Sequence, residues 1–189
     1  MTTLTVKMNH LKAAVLFAGD RDTRQSLNGI YFDPTSNNVV STDGHRIFVG
    51  APDTILGDFY KGYILPRDYV LSVIKAHKGS KDVEFTIKGD KIETHSTKGV
   101  LIDLKFPEWR RVYPRILSVP EKWVSYRAEY MAEIDKAWSI MVPRSSNSPV
   151  VMHSDDGCLW AQMGDAHVGT MPNRNVGEAM SFSPFAVHI

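Results

Sequence analysis

Ser41, Asp43 and His45 alternate along Ser41-Thr42-Asp43-Gly44-His45-Arg46, a spacing at which a carboxylate can orient an imidazole beside a hydroxyl. Such a trio invites general-base or nucleophilic chemistry. Yet an Asp-Gly pair next to a histidine is ordinary turn chemistry. No second carboxylate or nucleophile stands at a matching interval. His10, His77, His95, His153, His167 and His188 show no metal-ligand spacing, and the lone Cys158 adds little to them. The sequence therefore predicts no catalytic residue, no metal site and no cofactor.

The chain has 189 residues, 43% of them hydrophobic and 23% charged. Aromatic and aliphatic residues run its whole length, which argues against disorder and supplies material for one or two cores. The longest apolar stretch, residues 13–18, is far too short to cross a bilayer. The first residues do not follow the basic-then-apolar order of a signal peptide. A single cysteine cannot form an internal disulfide, so nothing points to an oxidising compartment. The expectation is a cytoplasmic protein with no membrane partner. The formal net charge is +1, so nucleic acid can be held only by a local basic face.

These residues are positioned by a repeating order of elements. Asn9 is placed to cap a helix that buries Leu11, Ala14, Val15 and Ala18 and ends at Gly19. Extended segments follow at 28–33, 39–42 and 46–50, the first two separated by Pro34-Thr35-Ser36-Asn37. A second helix begins at Pro66, buries Val70, Val73 and Ile74, and stops at Gly79. Strands are predicted at 83–87, 92–96 and 100–104. A third helix opens at Ser125 or Tyr126 with Tyr130, Ile134, Ala137 and Trp138 inward, before strands at 150–153, 158–163 and 167–171. Helix starts at near-equal intervals read as a duplicated unit, present three times. The fold class expected is α+β, with antiparallel sheets and helices on one face.

Three segments resemble the bacterial sliding clamp, the beta subunit of DNA polymerase III. Arg24-Gln25-Ser26-Leu27-Asn28-Gly29-Ile30 resembles the stretch leaving the first helix of the clamp's middle domain. Ser41-Thr42-Asp43-Gly44-His45-Arg46 resembles its strand-end motif, and Phe106-Pro107-Glu108-Trp109-Arg110-Arg111-Val112-Tyr113-Pro114 the segment that closes it. Ile64-Leu65-Pro66-Arg67 stands between them. The resemblance runs from about Leu4 to Pro114. It implies a DNA-clamp fold, a clamp-like domain over 1–118 and a partial second one over 119–189. The third unit resembles the final half-domain of a clamp, ending at Met171-Pro172-Asn173-Arg174. A second alignment sets residues 123–179 on the first half of that domain, and Met171-Pro172 then has no counterpart.

The resemblance also implies a non-catalytic replication protein. Its apolar cleft would bind peptides of a DNA polymerase or clamp loader. Arg24 and Leu27 would edge that cleft, with Thr42, Gly44, His45, Arg46 and Ile47 along one wall. Pro107, Arg111 and Val112 would form another wall, with Met171, Pro172 and Arg174 beside it. Nearby arginines would hold peptide carbonyls or an acidic residue. In clamps the helices line the central hole, so Lys12, Arg21, Lys75, Lys78 and Lys81 are the candidates for weak, sequence-independent contact with duplex DNA. The third helix, with Glu129, Glu133 and Asp135 against Lys136, suits that task poorly. Gln25 and Ser26 stand where well-known clamps are aromatic.

A clamp subunit carries three full domains, and two subunits close the ring. One and a half domains here imply a homo-oligomer of more chains, or a clamp-mimicking decoy or adaptor that encircles nothing. The segment 176–189 holds Met180, Phe182, Phe185, Val187 and Ile189 with little charge. It is expected to bury itself as an extra edge strand or against a second chain.

Overall fold

The computed structural model describes residues 1–52, 54–114, 124–144, 147–154 and 157–172, and the backbone of 117–118. The expected tail segment and Arg174 lie outside the described residues. The three units are present, and each helix is led by a strand that sequence periodicity did not reveal. The first unit is β1 (Thr2–Lys7), α1 (Met8–Phe17), β2 (Gly29–Asp33), β3 (Asn38–Thr42) and β4 (Arg46–Val49), with a short β5 (Ile55–Leu56) after it. The second is β6 (Tyr63–Pro66), α2 (Arg67–Ala76), β7 (Asp82–Lys88), β8 (Lys91–Glu93) and β9 (Lys98–Val100). The third is β10 (Leu117–Ser118), α3 (Ala128–Met141), β11 (Val150–Ser154), β12 (Leu159–Met163) and β13 (Ala166–Thr170).

Three local expectations need correction. Asn9 lies inside α1 rather than capping it. Lys7 is the cap, without a side-chain bond, because β1 passes straight into the helix. The Met8 N–H is satisfied instead by the Lys81 carbonyl at 2.7 Å. α3 begins at Ala128, later than the expected Ser125 or Tyr126. The strand expected at 100–104 is β9, which ends at Val100. Beyond it the Ile102 N–H donates to the Ile64 carbonyl, so the chain has crossed to the free side of β6.

All ladders are antiparallel and form two sheets, in orders β5-β1-β7-β8-β9 and β10-β11-β12-β13-β4-β3-β2-β6. In the larger sheet the third unit joins the first through β13 and β4, in a register running from His167↔Val49 to Thr170↔Arg46. α1 packs on β2, β3 and β4, α2 on β2 and β6, and α3 on β12 and β13. α1 also touches both other helices. The helices thus share one face of this sheet.

The main core fills the space between helices and both sheets. Leu4, Val6, Phe85 and Ile92 of the smaller sheet meet Ile30, Phe32, Val39 and Phe48 of the larger one. Phe32 and Phe85 cross edge to face at 5.8 Å between centroids. Each such side chain, fully withdrawn from water, stabilises the fold by roughly 1.5–3 kcal/mol.

The other face of the larger sheet has its own apolar cluster. Val40, Ile47, Val49, Ile64 and Trp160 are covered there by Phe106 and Trp109. Tyr31 stacks on Phe106 at 4.7 Å. Asp33, 1% exposed, fastens this covering segment. It accepts from the Trp109 indole at 3.3 Å and pairs with the Arg110 guanidinium.

Candidate functional site

Where β13 meets β4, beside the Trp109–Trp160 cluster, a cleft of about 290 Å³ opens. Its first wall is the turn that Thr42-Asp43-Gly44-His45-Arg46 builds. The Thr42 hydroxyl donates to the Arg46 carbonyl at 2.6 Å and accepts from the Gly44 N–H at 3.0 Å. Asp43 Oδ1 accepts from the N–H groups of His45 and Arg46, each at 2.8 Å, the local bonding that makes Asp a turn former. Gly44 has φ +88°, and a Cβ there would stand 2.6 Å from the Arg24 guanidinium. The left-handed backbone favours glycine here, while the Arg24 head lies at the end of a flexible side chain that can shift.

Arg24 closes the mouth. It donates to the Asp43 carbonyl at 2.9 Å and grips Asp22 at 2.8 and 3.0 Å. Those bonds from Arg24 hold the Asp22 carboxyl down to about 2. The third unit supplies the facing wall. The Met171 N–H donates to the His45 carbonyl at 2.8 Å, extending the β13–β4 ladder into the cleft.

Ten of the residues expected from sequence line this space: Arg24, Leu27, Thr42, Gly44, His45, Arg46, Ile47, Pro107, Val112 and Met171. Arg111 and Pro172 do not, and Arg174 lies outside the described residues. The placement of Arg111 follows from the 3-10 turn Trp109–Arg111. Residues three apart eclipse in such a turn, so Trp109 and Val112 share the cleft side while Arg110 and Arg111 turn elsewhere. Sequence reasoning missed Ser26, Glu108, Trp109, Cys158, Trp160 and Thr170. The first three sit inside the quoted motifs. Trp160 and Thr170 lie on β12 and β13, with Cys158 just before β12, all brought here by the β13–β4 pairing, for which the sequence carries no local signal.

Both arginines that line the cleft already have carboxylate partners. Arg46, with its side chain 12% exposed, pairs with Asp43 at 2.6 Å and with Glu133 of α3. Its guanidinium also lies 4.7 Å from the centroid of the Tyr130 ring. Arg24 is held by Asp22. Arg46 is thus committed within the protein, whereas the side chain of Arg24 stays 56% exposed at the mouth.

The trio with catalytic spacing is dispersed. Ser41 is fully buried and donates to the Ala14 carbonyl at 2.6 Å. Asp43 is committed to the turn and to Arg46, and His45 lies over Tyr130 at 6.4 Å. Among the described residues no cluster of three or more metal-ligating side chains occurs, and no helix is long and apolar enough to cross a membrane.

Of the residues expected to meet DNA, Lys12 and Lys81 border one shallow depression together with Lys7. Lys7 is paired there with Asp165 at 3.0 Å. Lys75 and Lys78 are exposed at the end of α2, and Arg21 is exposed with φ +58° beyond α1.

No family model matches the chain. It is 32% identical over 105 residues to the beta sliding clamp of Proteus mirabilis, a match spanning 50% of this chain and 28% of that protein. To the beta sliding clamp of Vibrio cholerae it is 35% identical over 107 residues, 52% of this chain and 29% of that protein. The matched stretch is thus under a third of these relatives' length. Among solved structures, the Helicobacter pylori beta clamp bound to a DNA ligase peptide matches with a TM-score of 0.67 at 14% identity, over 91% of this chain and 65% of that one. DNA polymerase III subunit beta from Borrelia burgdorferi, in complex with a natural product, gives 0.69 at 13% identity, over 94% and 65%. At such identities the structures establish the fold. The chain has the α+β sliding-clamp fold, and over about half its length its sequence is clamp-like.

Proposed function

We propose that this clamp-like chain is a non-catalytic, cytoplasmic replication protein. Its cleft takes a short apolar peptide from a DNA polymerase or clamp-loader subunit, and several copies together surround duplex DNA with their helices inward. The observation that carries this reading is the preformed apolar cleft at the β13–β4 seam, lined by Leu27, Ile47, Trp109 and Trp160. A cavity of this size accepts one or two aliphatic or aromatic anchors, the requirement for holding a linear motif. The ligase peptide on the Helicobacter clamp is a peptide bound to a protein of the same fold. Met171 in the cleft supports reading the third unit as the final half of a clamp domain.

Cys158 provides the assay, because it lines the cleft and is the single cysteine of the chain. A synthetic peptide with two leucine anchors is expected to bind with micromolar affinity, about −8 kcal/mol. At tenfold excess over its Kd it should slow Cys158 alkylation on the order of tenfold, as the free fraction falls. Unchanged alkylation at saturating peptide, with no heat of binding, would remove the cleft assignment.

A second reading is favoured by the acidic surface of α3, where Glu129 and Asp135 are exposed beside Lys136. Such a helix lines a DNA channel poorly, and a chain that binds clamp peptides without encircling DNA would act as an adaptor or decoy. Mass in solution decides between them. An encircling clamp is expected as a multimer that stays on circular duplex and leaves it on linearisation. A monomer that binds the peptide and ignores DNA topology establishes the adaptor.

A further inference from the structure

A second hollow, of about 440 Å³, lies on the same sheet face as the cleft and shares Trp109 with it. Asn38 of β3, Val49 of β4 and His167 of β13 all line it. Their common face follows from register. Val49 pairs with both Val40 and His167, and Asn38 stands two residues before Val40 on its strand. Ile47, which lines the cleft, precedes Val49 by two residues, about 7 Å of extended chain. Tyr113 closes one side of the hollow. Its ring meets Trp109 edge to face at 6.0 Å, and its hydroxyl lies 2.9 Å from His167 Nδ1.

Asn38 sets the chemistry of this space. It is 4% exposed, and its Oδ1 is buried with no hydrogen-bond partner among the described residues. Its backbone pairs with Asp33 in the β2–β3 ladder, which makes no use of the side chain. A buried carboxamide left unpaired is unfavourable, and a hydrogen bond from a ligand removes that penalty. Rotation about χ2 offers the ligand either amide atom. The charges at the rim are already matched, Arg110 by Asp33 and Asp165 by Lys7, so the space calls for an uncharged ligand. A flat apolar body with one polar head fits these conditions.

We propose that this hollow is a second subsite of the peptide cleft and takes a tyrosine side chain two or three residues away from the apolar anchors. The inference rests on the peptide-cleft reading and adds a further element of the ligand. A chain anchored at Ile47 crosses Trp109 to reach the hollow. The tyrosine ring packs against Trp109, Tyr113 and Val49, and its hydroxyl, donor and acceptor in one group, meets Asn38.

The test uses decapeptides with two adjacent leucine anchors and Tyr, Phe or Ala placed two or three residues before or after them. One Tyr placement is expected to bind wild-type protein roughly tenfold more tightly than its Ala counterpart, with Phe between the two. Asn38→Ala should bring the Tyr peptide down to the level of the Phe peptide and leave the Ala peptide unchanged. Ala51 lines the hollow but not the cleft, so Ala51→Trp should fill the space and cancel the gain from both rings. It also carries the test should Asn38→Ala fail to fold, with melting curves establishing which variants are folded. Equal binding of the Tyr, Phe and Ala peptides to wild type overturns the proposal and leaves the peptide-cleft reading standing. A Tyr gain that survives both substitutions places the ring elsewhere and also overturns it. Binding of no peptide to wild type overturns the peptide-cleft reading itself and this inference with it.

Discussion

Arg46→Ala is expected to lower stability by about 2–3 kcal/mol and to abolish measurable peptide binding. The arginine joins three things at once: the 42–46 turn through Asp43, α3 through Glu133, and the Tyr130 ring. Its loss leaves two carboxylates confronting each other with side chains 16% and 28% exposed. Removing one partner of a fully buried pair costs about 3–5 kcal/mol, and partial hydration here reduces that toward the lower figure. For a chain of this size the expected fall in Tm is roughly 5–10 °C. Arg46→Lys should recover little, because one ammonium cannot fork between Asp43 and Glu133 while covering an aromatic face. Thermal melts and peptide titrations of both variants make the check. A melt within a degree of wild type would mean that α3 is held by its apolar contacts alone.

Acidification is the second large expected effect, and it centres on His10. This side chain is fully buried in α1, edge to face with Phe48 at 6.1 Å. Burial pulls its pKa from 6.5 to about 4, with Lys7 acting in the same direction and Asp165, 3.3 Å from Nε2, acting against it. The folded chain therefore keeps His10 neutral where the unfolded chain protonates it. Between pH 6.5 and about 4 the unfolded state binds more protons, so stability rises with pH and is lost as pH falls through that window. A shift of this size corresponds to about 3 kcal/mol once the pH has reached the folded value. His10→Phe removes the titration and preserves a ring against Phe48. Denaturant unfolding from pH 7 to 4 should show the wild-type curve falling more steeply than the variant's. Parallel curves would show that His10 is not the group responsible.

His10 also shows how far sequence carried and where it stopped. Its neighbours Leu11, Ala14 and Val15 announced the helix, but their spacing did not mark the histidine itself as buried. That it would face Asp165, in the turn between β12 and β13, depended on a pairing between strands more than a hundred residues apart in the chain. The three helices were legible because apolar spacing is a local signal, helped in the first two by the glycines at 19 and 79. The leading strands were not: β10 is only two residues long, and β1 and β6 run without a break into α1 and α2. β9 was placed too late because its end is set by a bond from Ile102 to the far side of β6.

The cleft divides in the same way. Sequence by itself determined the turn at Thr42–Arg46, the need for glycine at 44, and the apolar character of Leu27, Ile47 and Val112, because these follow from residue type and near-neighbour bonding. It also carried the likeness to clamps, through motifs that keep their order along the chain. Only tertiary structure decided that β13 extends the sheet at β4, bringing Trp160, Cys158 and Met171 into the cleft. The same association carried Glu133 to Arg46, which ties the 42–46 turn to α3. The reason is physical: strand register across a long loop is selected by the faces that must be buried together, and no short stretch of sequence contains both faces.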